Sequence, residues 1–158
     1  AAFRKIVLHQ VSFGGFGVMS GGPIGGRKQS GAYNVRARWK PARLAHWVRG
    51  WHRRFRDAPG VAIYRRDFRQ TLSGLASAAF VYADPPYIVA GAQLYKHAMT
   101  MTDHEDLYVL LSRRAHWALS YDDHEWVHSR YSKYAIHKAT VTYAGTRRKH
   151  DEIIITCP

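Results

Sequence analysis

The segment of this chain whose residue types best suit chemistry is Asp84-Pro85-Pro86-Tyr87. It follows an apolar run at residues 78–83 that favours a strand, and two prolines cannot continue a strand's hydrogen-bonded ladder. In an open α/β sheet, ligands bind beyond the carboxyl ends of the strands, so these four residues are expected at a binding site. The alternative is that Asp-Pro-Pro merely ends the strand with a turn.

This tetrapeptide suits an exocyclic amino group on a nucleic-acid base. Such an amine, for example adenine N6, is a poor nucleophile because its lone pair is delocalised into the ring. Two hydrogen-bond acceptors on its hydrogens would draw it toward sp³ geometry, and Asp84 and the carbonyl of Pro85 would supply them. The restricted φ of the prolines presents that carbonyl rigidly. Tyr87 offers a face on which a base extruded from the duplex can stack.

The elements around this segment predict an α/β domain with a mostly parallel sheet, since strands alternate with helices. Predicted strands cover residues 61–64, 78–83 and 117–121, and a terminal hairpin is expected from residues 134–143 and 152–156. A loop leading into a short helical turn is expected at 67–75, and helices at 102–112 and 122–131. Thr102 and Glu105 have the spacing of a capping box.

Positive charge is concentrated in the N-terminal part of the chain. Of the formal net charge of +13, residues 1–60 carry 12 Lys or Arg against one acid, a net of +11, whereas residues 61–158 carry 12 against 10, a net of +2. A basic segment on a nearly neutral body favours nucleic acid, because each cation near a phosphate releases condensed counterions. A solvated basic surface, or a ribosomal or anionic-lipid contact, is the alternative.

Two patterns organise this basic part. Glycines and polar residues between residues 12 and 34 predict a loop or hairpin. At residues 41–55, apolar side chains recur every three or four residues with arginines on other faces, which indicates a basic amphipathic helix that Pro59-Gly60 ends. The five tryptophans of the chain, which include Trp47 and Trp51 of this helix, are expected to lie in the core rather than to act as stacking platforms.

Cysteine content and hydropathy bear on the compartment. Cys157 is the one cysteine and cannot form an internal disulfide, which fits a reducing compartment. No stretch approaches about 18 consecutive apolar residues, and the N-terminus lacks the apolar region of a secretory signal. We therefore expect a cytoplasmic protein with no membrane partner.

Several weak motifs occur in a characteristic order. They are Asp84-Pro85-Pro86-Tyr87, Leu94-Tyr95, Asp103-His104, Leu119-Ser120-Tyr121-Asp122 and Glu152-Ile153-Ile154-Ile155. In this order the chain resembles the Dam-like, or D12-class, N6-adenine DNA methyltransferases, which include phage and restriction–modification members. The resemblance covers most of the chain. It implies a Rossmann-like fold and transfer of a methyl group from S-adenosylmethionine to adenine N6 in double-stranded DNA, in a bacterial or phage-infected cell.

The resemblance also implies roles for particular residues. The catalytic group would be Asp84, Pro85, Pro86 and Tyr87, which bind the target adenine. Asp67 and Phe68, together with Asp84, would bind the cofactor, and a simple helix cap is the alternative for Asp67. Residues 1–60 would be a basic target-recognition region and residues 61–158 the catalytic α/β half. Candidate phosphate or base contacts are Arg27, Lys28, Arg36, Arg38 and Lys40.

The chain departs from the family's pattern near its N-terminus. Family members carry an acid-Pro-Phe-x-Gly-x-Gly loop that cradles the methionine part of the cofactor. Residues 12–17, Ser-Phe-Gly-Gly-Phe-Gly, resemble it superficially, but no acid or proline precedes them, so a recognition segment is the preferred interpretation. We therefore expect a truncated fold that binds the cofactor poorly alone, with a separate N-terminal half as a candidate partner.

Two other functions are alternatives. One is a non-catalytic DNA-binding remnant that keeps the basic face without turnover. The other is a zinc metalloprotease, because His124-Glu125-Trp126-Val127-His128 matches the H-E-x-x-H pattern. With ten histidines in the chain, a chance match is unsurprising, and the His-x-x-Gly-x-x-His extension is missing. No metal is expected.

Overall fold

The computed structural model describes residues 2–13, 21–89, 91, 98–142 and 149–157. The chain forms two compact units, residues 1–64 and 65–158, each with its own internal contacts. The glycines at 14–17 and the Leu94-Tyr95 pair, both singled out in the sequence, lie outside the described residues.

The first unit begins with helix α1, Ala2–Val11, which the sequence patterns did not predict. An antiparallel bridge then joins Ser12 to Pro23. The backbone N–H of Ile24 donates to the Val11 carbonyl at 2.8 Å, and the Ile24 side chain is buried. Pro23 and Ile24 therefore lie against the end of that helix. In its described part, the predicted loop at 12–34 consists of turns, bends and this bridge.

Helix α2, Val35–Arg38, is fixed by side chains of the loop that precedes it. Asn34 caps the helix, because its Oδ1 accepts a hydrogen bond from Arg36 N at 3.0 Å. Gln29 Oε1 accepts from Val35 N at 2.9 Å. These bonds satisfy donors that the start of a helix leaves unpaired. The loop therefore determines where the two arginines of α2 lie.

Helix α3, Pro41–Asp57, confirms the predicted amphipathic helix. Its first residue is proline, whose missing N–H would have no partner at that position in any case. The expected burial of the tryptophans is confirmed for Trp117 but wrong for this helix, since Trp47 is 57% exposed and Trp51 is 51% exposed. The reason is that the apolar stripe they share with Phe55 lies open along the helix.

The described strands of the second unit form one sheet with the order β1-β2-β4-β3. They are β1 Val81–Ala83, β2 Trp117–Asp122, β3 Ala135–Thr142 and β4 Lys149–Thr156. Strands β1 and β2 are parallel, and β4 is antiparallel to both β2 and β3. The expected mostly parallel sheet is therefore mixed. The physical reason is that the terminal hairpin places its second strand, β4, beside β2.

The helices described in the second unit are α4 Phe68–Ser73, α5 Met101–Ser112 and α6 Glu125–Arg130. The predicted capping box at Thr102 and Glu105 is wrong. Thr100 caps α5 instead: its Oγ1 accepts from Asp103 N at 3.2 Å, and Asp103 Oδ2 accepts from Thr100 N at 2.7 Å. Thr100 and Asp103 have the same spacing as Thr102 and Glu105. Because α5 begins at Met101, Thr100 occupies the N-cap position. Among the described residues, no helix combines the length and apolar composition needed to cross a membrane.

The core of the second unit joins α5 and α6 to the central strands β2 and β4. Its buried side chains include Leu107, Leu111, Trp117, Leu119, Tyr121, Val127, Tyr131, Ile153 and Ile155. His104 is buried with them and is hydrogen-bonded through Nδ1 to the Tyr121 hydroxyl. Burial lowers the pKa of His104, so the neutral imidazole is favoured.

The predicted strand at residues 61–64 is wrong. This stretch forms neither helix nor strand, and Ile63 and Tyr64 are exposed. Apolar and β-branched residues favour a strand only where a neighbouring strand accepts their hydrogen bonds. No strand of the described sheet pairs with this stretch.

Candidate functional site

The Asp84 carboxylate lies exposed directly after β1. Strand β2 runs parallel beside β1, with Leu119 opposite Ala83, so Ser120 comes next to the end of β1. The Ser120 hydroxyl, which is 2% exposed, donates to Asp84 Oδ1 at 2.8 Å. A buried group of the sheet therefore fixes the orientation of an exposed carboxylate.

The backbone after this carboxylate is held by two further contacts. At the end of β2, Asp122 accepts hydrogen bonds from Ile88 N at 3.3 Å and Val89 N at 3.0 Å. Gly91 approaches Pro86 so closely that a Cβ on Gly91 would lie 2.9 Å from the Pro86 carbonyl carbon. Real Cβ atoms essentially never come so near, so the approach requires glycine at this position.

A cleft of about 770 Å³ opens beside this segment in the second unit. Asp84, Pro85 and Pro86 line one part of it, and Asp67 and Phe68 line another. Apolar side chains cover much of the remaining wall, namely Leu72, Leu75, Phe80, Met99 and Leu107. The structure therefore brings together predicted site residues that are well separated in the sequence.

Tyr87 lies half-buried against the core and is not part of the cleft lining. Its hydroxyl donates to Glu152 Oε2 at 3.2 Å, and its ring centroid lies 6.1 Å from that of Tyr121. Burial raises the pKa of Tyr87, so the phenol stays protonated at neutral pH and can donate this bond. Its role in stacking a base stays a prediction.

Asp67 has a structural task as well as a place on the cleft. It is the N-cap of α4, since its Oδ1 accepts from Arg69 N at 2.8 Å. The Arg69 guanidinium lies over the Phe68 ring at 4.5 Å and pairs with Asp103 of α5 at 2.5 Å. The cap foreseen as the alternative for Asp67 is thus present. Because an ionised carboxylate has about four acceptor positions, capping leaves room for a ligand.

The predicted DNA contacts all lie exposed in the first unit. They are Arg27 and Lys28 in the loop, Arg36 and Arg38 on α2, and Lys40 immediately before α3. Since both arginines of α2 depend on the cap and loop bonds described above, the loop positions them without burying them.

The H-E-x-x-H match does not form a metal centre in the described structure. His124 is the N-cap of α6 and its Nδ1 accepts from Trp126 N at 3.1 Å. His128 Nε2 pairs with Asp123 at 2.5 Å. Within the described ranges, no group of three His, Cys, Asp or Glu side chains could hold a metal ion. The two histidines have separate structural partners, which counts against a shared zinc ion.

Comparison with known protein families then identifies the chain. The family model of the D12 class N6 adenine-specific DNA methyltransferases matches residues 27–144, which is most of the chain. The chain belongs to this family. The match confirms the resemblance inferred from the motifs, and it includes the Asp84 segment and Asp67. The D12 family implies a methyltransferase fold, DNA as substrate and S-adenosylmethionine as cofactor. A search of curated proteins found no match.

The cleft of this D12-class chain fits such a cofactor. Its volume lies within the range of roughly 300–1,000 Å³ that is usual for small-molecule sites. Phe68 and the apolar wall suit a purine ring, and the carboxylates of Asp67 and Asp84 suit hydroxyl groups and a positively charged sulfur. The volume of the cleft and the chemistry of its lining residues therefore both fit S-adenosylmethionine.

Ser120, Asp122 and Glu152 belong to the sequence motifs, but none of them was predicted to have a role in methyl transfer. The available signal was a serine in an otherwise apolar strand, since a polar residue at a buried strand position needs a partner. Gly91 was not singled out at all, because one glycine in the sequence does not reveal which backbone comes close to it.

Proposed function

We propose that this chain transfers a methyl group from S-adenosylmethionine to N6 of adenine in double-stranded DNA. One observation carries the proposal: the Asp84 carboxylate lies exposed where β1 ends, is held by buried Ser120, and shares a cleft with Asp67 and Phe68. A turn that only ends a strand would not need a buried hydroxyl to orient an exposed carboxylate.

The amino group of adenine would be held by Asp84 and the carbonyl of Pro85. With both hydrogens accepted, the nitrogen lone pair is less delocalised into the ring and can be directed at the methyl group. Because one carboxylate oxygen is already bonded within the protein, little reorganisation is needed when the base arrives. Pro86 restricts the backbone beside the carbonyl. The extruded base would stack on Tyr87, whose hydroxyl is held by Glu152.

Asp67, Phe68 and Asp84 would hold the cofactor. When bound, S-adenosylmethionine supplies a methyl group on a positively charged sulfur. The Phe68 ring offers an apolar face to the adenine moiety, and the cap at Asp67 fixes that carboxylate relative to the ring. Asp84 would then contribute both to the base and to the positive charge beside it.

The exposed cations of the first unit would contact the duplex, and these are Arg27, Lys28, Arg36, Arg38 and Lys40. Arginine suits guanine or phosphate, and lysine suits phosphate. DNA as substrate favours the cytoplasm of a bacterial or phage-infected cell, where a restriction–modification or phage system would use this reaction.

The test is transfer of labelled methyl to adenine-containing duplex DNA by the full chain. Asp84→Ala should lower the rate by at least about 100-fold, because it removes an acceptor that acts in the transition state. Glu125→Ala is the matched control, since it removes an exposed carboxylate outside the cleft, and its rate should stay within about twofold of wild type. A parallel reaction adds a polypeptide that carries the acid-Pro-Phe-x-Gly-x-Gly loop.

Three outcomes decide between the candidates. Transfer that depends on Asp84, with or without the added polypeptide, supports the proposal. Transfer that survives Asp84→Ala contradicts it. DNA binding that is equal for wild type and Asp84→Ala, with no transfer in either reaction, favours the non-catalytic DNA-binding remnant instead.

A further inference from the structure

Helix α3 exposes aromatic and basic side chains that the site around Asp84 does not use. Trp47 and Trp51 lie one helical turn apart, and both are more than half exposed. The Arg43 guanidinium lies over the Trp47 ring at 5.6 Å, and that of Arg54 lies over the Trp51 ring at 5.1 Å. Both distances are within the cation–π range. Exposed indoles accompanied by guanidinium groups are typical of a binding surface rather than of a core.

Two grooves run along this flank of α3 and share Trp47. The first, of about 350 Å³, extends from Arg38 and Lys40 to Trp47. The second is an open depression of about 680 Å³ along α3 itself, which extends from Trp47 past Gly50 to Arg54 and Asp57. Arg38 and Lys40, two of the predicted DNA contacts, therefore lie on the same surface as Trp47. This surface is called the α3 track, and its members are Arg38, Lys40, Arg43, Trp47, Trp51 and Arg54.

Gly50 lies between the two tryptophans, at a position where the protein's own packing does not require glycine. A Cβ on Gly50 would meet no described neighbour within 4 Å. Glycine is among the poorest formers of a helix interior. Its presence is explained if a partner approaches the helix backbone at this point from outside.

We propose that the α3 track binds a strand of DNA at a place where its bases are unpaired. The inference rests on the proposed function, which supplies DNA as the substrate, and it adds a contact surface apart from Asp84. The arginines and Lys40 would neutralise phosphates, and a base would stack on Trp47. A paired duplex hides its base faces in the stack, whereas an unpaired base leaves one free for an aromatic ring.

The charge pattern favours a nucleic-acid strand over a lipid surface. A helix that lies in a membrane interface separates an apolar, aromatic face from a charged face. On α3, Arg43 and Arg54 lie over the two indoles at one edge of the apolar stripe, so this edge presents cations and aromatic rings together. Cations on both sides of a pair of aromatic rings match the phosphates that flank unpaired bases.

The experiment measures the affinity of the full chain for labelled oligonucleotides by fluorescence anisotropy. The probes are a paired duplex, the same duplex with a short unpaired gap, and a single strand. Wild type should bind the gapped and single-stranded probes more tightly than the paired duplex. Trp47→Leu should weaken binding to the unpaired probes by about tenfold and to the paired duplex by less than about twofold. Trp47→Phe should restore part of the loss.

A second pair of variants tests the charges. Arg54→Gln should weaken binding to every probe and reduce the slope of log affinity against log salt by about one. Arg49→Gln is the matched control, because it removes the same charge from the same helix outside both grooves. Gly50→Leu, which fills the gap between the tryptophans, should weaken binding to the unpaired probes. Circular dichroism melting of each variant establishes that it folds.

Three results would overturn the inference. In the first, folded Trp47→Leu binds all three probes as wild type does. In the second, Arg49→Gln costs as much as Arg54→Gln, which would mean a diffuse electrostatic contact. In the third, sedimentation with vesicles of anionic phospholipid depends on Trp47 while DNA binding does not, which would assign the surface to membranes.

DNA binding and methyl transfer, measured for both Trp47→Leu and Asp84→Ala, distinguish failure of one proposal from failure of the other. Suppose that binding to unpaired DNA depends on Trp47 but methyl transfer does not depend on Asp84. This result would contradict the proposed function and would still support DNA binding by the α3 track. Transfer that depends on Asp84, together with DNA binding indifferent to Trp47, would contradict the α3 track alone.

Discussion

Ser120 is a buried hydroxyl whose hydrogen bonds lead to an exposed carboxylate. It donates to Asp84 Oδ1 at 2.8 Å and accepts from the Tyr82 hydroxyl at 3.2 Å. Each bond in such a chain polarises the next, so the serine is well placed to hold the carboxylate in one orientation. Ser120 is therefore a positioning residue for the proposed reaction, since it acts through Asp84 and does not line the cleft.

Ser120→Ala should lower kcat for methyl transfer by about tenfold, because the lost hydrogen bond is worth roughly 1–1.5 kcal/mol. The KM for DNA should stay within about twofold, since the substitution does not touch the basic surface. Ser120→Thr keeps the hydroxyl and should recover most of the rate. Steady-state kinetics give both constants. A raised KM with unchanged kcat, or a threonine variant as slow as alanine, would mean that the serine has only a packing role.

Elements of the second unit hold the cleft open by contacts at its margins. Arg69 of α4 pairs with Asp103 and Asp106 of α5 at 2.5 and 2.6 Å, and its guanidinium holds the pKa of the Asp103 carboxyl well below its usual range. Across the cleft, the segment after β1 is fixed by the close approach of Gly91 to Pro86. The first margin depends on ion pairs between two helices that are separated in the sequence by β1. The second depends on a close approach within one short segment of the chain.

Gly91→Ala should move the Pro86 backbone, because the new Cβ would lie 2.9 Å from the carbonyl carbon and proline cannot easily yield. We expect a free energy of unfolding lower by about 1–3 kcal/mol and a rate of methyl transfer lower by at least about tenfold. Urea unfolding and single-turnover assays measure the two effects. Gly31→Ala is the control, since a Cβ there meets no atom of the described residues within 4 Å. Equal behaviour of the two variants would show that the close approach is unimportant.

Across the whole molecule, charge and chemistry are divided between the two units. Residues 1–60 carry a net charge of +11, whereas the proposed site lies in the unit of residues 65–158. Long-range attraction to DNA would come from the first unit, and methyl transfer from the second. The strength of DNA binding should therefore depend on salt through the first unit's cations.

Arg36→Gln should lower DNA affinity uniformly across sequences and reduce the slope of log affinity against log salt by about one. Arg113→Gln removes an exposed arginine from the second unit and should leave that slope within about 0.3 of wild type. Salt titrations of duplex binding measure both slopes. A larger change in this slope for Arg113→Gln would mean that the second unit contacts phosphates. That result would contradict the assignment of DNA attraction to the first unit.

Features that are local in the chain could be predicted from the order of the residues alone. The Asp84 segment could be placed at a strand end, α3 could be recognised as amphipathic, and the ordered motifs indicated the D12 family, because periodicity and short motifs need only neighbouring residues. The predicted strand at residues 61–64 failed for the complementary reason: a strand also needs a partner, and none of the described strands supplies one.

Contacts between residues that are distant in the chain depend on the tertiary fold. The bonds from Ser120 to Asp84 and from Tyr87 to Glu152 join residues 36 and 65 positions apart. The place of β4 between β2 and β3, and the exposure of Trp47, likewise depend on which surfaces pack together. Such choices are set by the burial and hydrogen bonding of groups remote in the chain, and no pattern within a short window of sequence contains that information.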